Sequence, residues 1–588
     1  MAVDVPALAD QGRELDYLVP SDPEGLLEVG AMVRVPLHGR RVLGWVVAID
    51  VSPPAGIALQ PIIKISSRGP SADVVELTAW GAWRWAGRRT ALLRAASPLG
   101  VVRRLPARPA RSAPAVATVG AGADPESLEL AREARAAGEA VVRLPPASTP
   151  LPFLLGVLAG GPALIITPAV DGAQALTRAL NRSGGAAVTV PEGWARAAAG
   201  GASVVGARAA AWAPAPDMTA IVVLDAHDDG LVEQRAPSWS AWEVAAQRAR
   251  RHEIPCLLVS PCPRVTQLRW GRLLTPSRAT ERRGWAPVEI IDRRDDDPRK
   301  GLLGERLVPI LRGATMDRRV VCVLNRKGRV RLLACRACQQ LAVCEHCGGV
   351  AEGASMLVCR RCGRSRPAVC HACGSTALRA LRLGVSKLRE DLEVLTRSPV
   401  GEVTAEVAEL PPTPVLIGTE AVLHRLSSRG EQVGAVVFIE FDSELSAPRY
   451  RAGEDALVLL ARAARLVGGR GAGGRVVVQT YQPDHVVLQA AVLADPGRLA
   501  EVELALRTEL HLPPASALAE LSGHPEVTDA VAADLAALAG IEALGPTDGR
   551  WLIRAPDHQI LCDALATVGR PAGADGVSLR VDVDPVRA

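Results

Sequence analysis

The sequence predicts a multidomain α/β protein, and three observations carry that reading. Short apolar runs alternate with helical patterns along most of residues 117–485, the pattern of domains built on largely parallel sheets. Eight of the twelve cysteines fall in four C-x-x-C pairs between Cys335 and Cys373, inside the second of those α/β stretches. A chain of 588 residues also exceeds what one core can organise, so several domains are expected.

In chain order, residues 1–66 read as a small β-rich unit, with MVRVPL and LGWVVAID as strands around the turn HGRR and PIIKIS following. Residues 67–105 are mainly helical through ELTAWGAWRWAGRRTALLRAA. Trp80, Trp83 and Trp85 in that stretch have two readings, core packing or a basic aromatic face turned toward nucleic acid. A Pro/Arg/Ala linker covers 106–116. Residues 117–277 alternate the strands EAVVRL, ALIIT, AAVTV, ASVVGA, AIVVLDA and CLLVS with helices such as ESLELAREARAAG and SAWEVAAQRARR. The uncharged run 151–170 is long enough to span a bilayer, but Gly160-Gly161-Pro162 interrupts it, so a buried helix, a turn and a buried strand at 163–166 are expected. No basic-then-apolar leader opens the chain, and a soluble cytoplasmic protein is expected. A second α/β domain covers 278–330 and 379–485, interrupted by a cysteine unit at 331–378, and a smaller α/β unit covers 486–588.

The cysteine pairs are Cys335/Cys338, Cys344/Cys347, Cys359/Cys362 and Cys370/Cys373. Each C-x-x-C turn points two thiolates the same way, and two turns face to face complete the tetrahedral sulfur shell that Zn²⁺ accepts. Disulfides or a redox pair are the competing readings. Four such pairs in under forty residues, with no sign of secretion, favour two zinc ions. Three pairs are followed by glycine (Gly348, Gly363, Gly374), which permits a left-handed turn away from the metal. Only five residues separate the first two pairs, whereas GGVAEGASMLV between the second and third can form a hairpin. Nesting is therefore the favoured pairing: Cys344, Cys347, Cys359 and Cys362 inside, Cys335, Cys338, Cys370 and Cys373 outside.

The net charge of +5 is slight, so an anionic partner must meet a local patch. From Arg326 to Arg389 there are thirteen Arg or Lys against Glu345 and Glu352, which leaves +7 after two Zn(Cys)₄ centres of −2 each. Arg360, Arg361, Arg364 and Arg366 are the densest part and suit phosphate oxygens, although they could also serve to solubilise the unit or balance the thiolates.

The chain resembles the bacterial replication-restart family PriA (primosomal protein N′) over essentially its full length, as a divergent high-GC actinobacterial-type member. The resemblance is carried by LDYLVP (Leu15 to Pro20), VRVPL with HGRRVLGWVV, LNRKG before the four cysteine pairs, CGSTALRALRLGVSKLREDL, VLIGTE, VVVQTYQPDH, LHLPP and VDVDP. It implies a DNA-binding N-terminal domain for a nascent 3′ end (1–66), a winged-helix-like segment (67–105), two RecA-like helicase lobes (117–277 and 278–485), a two-zinc insertion in the second lobe (331–378) and a small C-terminal domain (486–588). Asp16 matches the family's acidic residue for the terminal 3′-hydroxyl, but Leu15 replaces an aromatic neighbour and His38 precedes Gly39 where the family turn has glycine. Tyr17 has a second reading as core.

The resemblance also implies an ATP-driven superfamily 2 helicase, and here the sequence departs. ATP use needs a glycine-rich loop whose amides cradle phosphate, with a lysine followed by Ser or Thr. The corresponding stretch reads PPAST (Pro145 to Thr149), and none of the four lysines precedes Ser or Thr. The DExH position reads VVLDAHDDG, which keeps Asp225 but has Ala226 for the glutamate, while Asp228 and Asp229 are no assured substitutes. SPCP (Ser260 to Pro263) stands for SATP, and LVGGRGAGGR retains Arg470 and Arg475 as candidate remnants of arginine fingers. The expectation is a non-enzymatic, vestigial nucleotide site (Asp225, Arg470, Arg475) without ATP, in a replication-restart factor that binds branched DNA and recruits other primosome proteins and the replicative helicase. Two alternatives stand beside it: an active ATP-dependent 3′-5′ helicase, and a generic zinc-ribbon nucleic-acid binder.

Overall fold

The computed structural model describes residues 2–3, 14–20, 25–53, 56, 58–108, 124–294, 296, 303–324, 333–346, 348, 351–353, 355–359, 362–380, 385–404, 409–568 and 579–586. Cys347, Arg360 and Arg361 lie outside the described residues.

The N-terminal unit is a four-stranded sheet in the order β1 (Ala2–Val3), β3 (Arg40–Trp45), β2 (Met32–Leu37), β4 (Lys64–Ser67), with antiparallel pairing throughout. The turn expected at HGRR joins β2 to β3, and His38 (φ 47°) adopts a left-handed conformation alongside Gly39. Two helices, Ala72–Arg84 and Arg89–Ala96, follow.

Residues beyond the linker form a seven-stranded parallel sheet in the order β11 (Arg272–Leu274), β5 (Glu139–Arg143), β10 (Cys256–Ser260), β9 (Ala220–Leu224), β6 (Ala163–Ile166), β8 (Ser203–Gly206), β7 (Ala187–Val190). Its central strands are buried on both faces, and that is why they read as unbroken apolar runs and not as alternating ones. The run 151–170 divides as expected into a helix, Leu151–Leu158, and the buried strand β6. No described helix is long and apolar enough to cross a membrane.

The second lobe is a six-stranded parallel sheet in the order β12 (Val288–Asp292), β22 (Arg475–Thr480), β21 (Ala435–Glu440), β13 (Val320–Leu324), β20 (Val415–Gly418), β19 (Val400–Val403). The cysteine unit is inserted after β13 and before helix Val385–Thr396. It contains one antiparallel pair, β14 (Leu333–Cys335) with β18 (Leu378–Ala380), and a three-stranded sheet, β15 (Ala351–Glu352), β16 (Met356–Cys359), β17 (Ser365–Pro367). The last domain is an antiparallel sheet in the order β24 (Glu542–Thr547), β25 (Arg550–Ala555), β23 (Ala517–Gly523), β26 (Leu579–Val583).

The helix Ala72–Arg84, the first lobe and the C-terminal domain share one core, which includes Leu77, Trp85, Trp212, Leu521 and Ile553. Packing accounts for the tryptophans: Trp85 is fully buried with Trp80 edge-on at 5.3 Å, and Trp83 Nε1 donates to Asp563 at 2.9 Å. The joint is tightened by Arg84, which pairs with Glu243 of the first lobe at 2.6 Å and with Asp584 at 2.5 Å. Asp584, the last acid of VDVDP, also faces His558 Nε2 at 2.8 Å.

Candidate functional sites

In open parallel sheets, ligands bind beyond the carboxyl ends of the strands. In the first lobe those ends carry the 145–149 loop after β5, Asp225 after β9 and Ser260 closing β10. A cavity of about 410 Å³ opens there, lined on one side by Pro145 to Pro150 and Asp225 and on the other by Arg465, Gly468 and Gly469 of the second lobe.

The loop after β5 offers little to an anion. Pro145 and Pro146 have no N–H. The Ala147 amide donates to Gly284 O and the Ser148 amide to Pro145 O, each at 3.0 Å. Asp225, held in a left-handed turn with φ 47°, receives both terminal nitrogens of Arg465 at 2.6 and 2.8 Å, and Arg465 Nε donates to Pro146 O at 3.0 Å. Burial alone would raise the Asp225 carboxyl, but the Arg465 guanidinium overrides it and holds the group down at about 2. Ala226 is buried beside it, and its carbonyl accepts from Gln267. His227 is buried with Nδ1 2.8 Å from Ser260 Oγ, and that burial lowers its pKa to about 4, so the ring is neutral at pH 7.

The remaining acids of the turn after β9 are spoken for as well. Asp228 pairs with Arg462 at 2.8 Å, and Asp229 with Arg451 at 3.1 Å and Arg264 at 3.2 Å. The two arginines expected as finger remnants have their partners elsewhere. Arg475 opens strand β22, where it pairs with Glu289 of neighbouring β12 at 3.3 Å, and Arg470 donates to the Arg282 carbonyl at 3.1 Å. Apart from Arg264 of the first lobe itself, the guanidiniums that reach the acids of this turn flank or sit on helix Ala452–Val467. Its signal was present in the sequence: at 100° per residue, Arg451, Glu454, Asp455, Arg462 and Arg465 fall within about 100° of the helix circumference.

In the insertion, Sγ atoms of Cys335, Cys338, Cys370 and Cys373 lie together, and those of Cys344, Cys359 and Cys362 form a second set. This is the nested arrangement, with Cys347 outside the described residues. The contacts measured are 3.5 Å for Cys335–Cys373, 3.4 Å for Cys338–Cys370 and 3.6 Å for Cys344–Cys362. A disulfide would require about 2.05 Å. Four thiolates about 2.3 Å from a tetrahedral ion would stand about 3.8 Å apart, so the sets fit a metal ion and not a covalent bond. The hairpin β15–β16 carries Cys359 against Ala351, as the length between the second and third pairs predicts. Gly348, Gly363 and Gly374 take φ of 68°, 71° and 73°, and Gln339 takes 64° at the first turn, where no glycine stands. His346 and His371 belong to neither set.

Of the expected phosphate-binding arginines, Arg364 is exposed. Arg366 is half-buried and engaged internally: it donates to Val369 O and, at 3.4 Å, to Val343 O, with Glu345 3.8 Å from Nε. It ties the second cysteine turn to the fourth. Asp16 is half-buried in an extended segment whose neighbour Leu18 exchanges backbone bonds with Gln60 and Ile62. Tyr17 packs at the edge of the sheet core, with its hydroxyl donating to Pro36 O at 3.1 Å.

Residues 1–98 match the family model described as the 3'DNA-binding domain (3'BD) of PriA. The "Probable replication restart protein PriA" of Mycobacterium tuberculosis (strain CDC 1551 / Oshkosh) is 30% identical over 561 residues, covering 87% of this chain and 84% of that protein. The chain belongs to the PriA family. The Mycobacterium leprae member is 28% identical over 593 residues, with 92% of this chain and 90% of that protein covered. The Bacillus subtilis "Replication restart protein PriA" is 25% identical over 355 residues, which cover 56% of this chain and 44% of that protein. The chain thus joins an N-terminal match to a DNA-binding domain model to two parallel-sheet α/β lobes, with cysteine clusters inserted in the second.

Proposed function

We propose that this protein is a replication-restart factor that works without ATP hydrolysis, binding branched DNA in the cytoplasm and recruiting primosome proteins and the replicative helicase. The observation that carries the reading is the state of the cleft. Phosphoryl transfer depends on amides and cations placed around the β and γ phosphates. Here two of the loop residues are prolines without an N–H and the amides of Ala147 and Ser148 are bonded within the protein, while Arg465 occupies the carboxylate that would otherwise serve Mg²⁺. A DNA-stimulated ATPase assay tests it. Turnover at background is expected, and turnover well above background that disappears in Asp225→Asn would establish the helicase reading instead.

The cysteine sets support two structural zinc ions, one on Cys335, Cys338, Cys370 and Cys373 and one on Cys344, Cys347, Cys359 and Cys362. Zinc there supplies folding free energy, because a short insertion with a small apolar core cannot hold this shape alone. The arginine-rich stretch with Arg360, Arg361 and Arg364 would contact phosphates without reading sequence, and Asp16 would accept a hydrogen bond from a free 3′-hydroxyl while repelling an internal phosphate. Binding to a fork with a 3′ leading-strand end is expected to exceed binding to plain duplex. Equal affinity would favour a generic zinc-ribbon binder.

A further inference from the structure

We propose that the two lobes are locked together by an ionic joint that takes the place of nucleotide, so that the cleft stays closed whether or not ATP is present. The inference rests on the non-ATPase reading for its biological sense but not for its geometry.

In a nucleotide-driven machine the lobes open and close because their principal shared ligand comes and goes. The contacts here are made by the chain itself. The three acids after β9 each meet an arginine on or beside one helix of the other lobe: Asp225 with Arg465, Asp228 with Arg462, Asp229 with Arg451. The exchange also runs the other way. Arg264 of the first lobe donates to Asp455 at 2.7 Å, and the Val265 amide donates to Glu454 at 2.7 Å. Glu454 in turn is held by buried Arg507 at 2.8 Å, which anchors the joint to the helix Gly497–Glu509 beyond it. Charges of both signs along the helix bear on register as well as closure, since a one-turn slide that carried Asp229 from Arg451 to Glu454 and Asp455 would bring like charges together.

Several of these groups are largely shielded from water, with side-chain exposures of 7% for Arg264, 6% for Glu454 and 14% for Asp455. Breaking such a joint leaves desolvated charges unpaired, so opening is costly unless water enters freely. Nucleotide has no comparable difference in contacts to offer between an open and a closed state, because its binding carboxylate is already taken. A ligand without differential affinity shifts no equilibrium. The scaffold would then present its DNA-binding and zinc units in one fixed arrangement.

Hydrogen–deuterium exchange on the full-length, zinc-loaded protein tests the joint, with the 225–232 turn and helix 452–467 as reporters. Wild-type exchange in both is expected to be unchanged by Mg-ATP. Asp228→Arg alone and Arg462→Asp alone should each speed exchange in both elements at least tenfold, and the double exchange Asp228→Arg with Arg462→Asp should return it to within about threefold of wild type. If a single reversal does not fold, Arg462→Gln replaces it, with the same direction expected. Unchanged exchange in the single variants, no recovery in the double, or strong protection of the wild-type cleft by Mg-ATP would each overturn the proposal. Finding ATP turnover while exchange stays insensitive to nucleotide would remove the non-ATPase reading and leave the joint standing.

Discussion

Asp225 shows how one residue can be kept while its setting changes meaning. As a carboxylate at the end of a parallel strand it reads as a magnesium ligand, yet its two oxygens are satisfied by the fork of Arg465, a geometry that stabilises both partners. Two positions away, buried His227 makes a prediction about pH. Its folded pKa, near 4, lies below the ordinary value near 6.5, so the unfolded chain binds more protons between those limits. Stability should therefore be full above about pH 6.5 and fall as pH drops toward 4, by at most about 3 kcal/mol from this group. Urea melts across that range would measure it, and His227→Gln should flatten the slope. A slope unchanged by the substitution would assign it to other groups.

The insertion behaves as a unit whose shape depends on its thiolates. Changing Cys359 and Cys362 to Ser is expected to lose one of two zinc ions by elemental analysis and to make residues 351–367 protease-sensitive, while the rest of the chain melts as before. Retention of both ions would contradict the nested pairing. Its arginines divide by environment. Arg364→Ala should weaken DNA binding and lower the salt dependence by about one counterion, leaving zinc in place. Arg366→Ala, which removes donors to Val343 O and Val369 O, should instead loosen the metal sites, read as faster zinc release to a chelator. If the two variants behave alike, the distinction drawn from their burial fails.

The whole molecule is held by charged joints as well as by apolar cores. Arg84, 6% exposed at its side chain, links the N-terminal helices to Glu243 of the first lobe and to Asp584 of the last domain. Removing one partner of a buried pair typically costs about 3 kcal/mol or more. Asp584→Ala should accordingly lower the melting temperature, and should free the C-terminal domain from the first lobe as judged by proteolysis between them. An unchanged melting profile would mean that the shared core around Trp85 and Leu521 suffices alone.

What the amino-acid sequence determined by itself was whatever short-range spacing encodes. Two-sided burial makes parallel strands legible as apolar runs, tight C-x-x-C spacing makes thiolate turns legible, and a hairpin-length gap orders the pairing of those turns. The departure of PPAST from a glycine-rich phosphate-loop pattern was legible for the same reason, because it is a local fact about prolines and amides. The tertiary structure alone decided what stands in its place. Arg465 and Asp225 are 240 residues apart, and nothing in the spacing of either strand or helix says that they meet. LVGGRGAGGR drew attention to Arg470 and Arg475, whereas the helix just before it turns Arg462 and Arg465 into the cleft. Likewise only the fold separates exposed Arg364 from Arg366, whose donors are taken by Val343 O and Val369 O. Local chemistry is written along the chain, but which charge faces which is settled when separate lobes pack and water leaves the space between them.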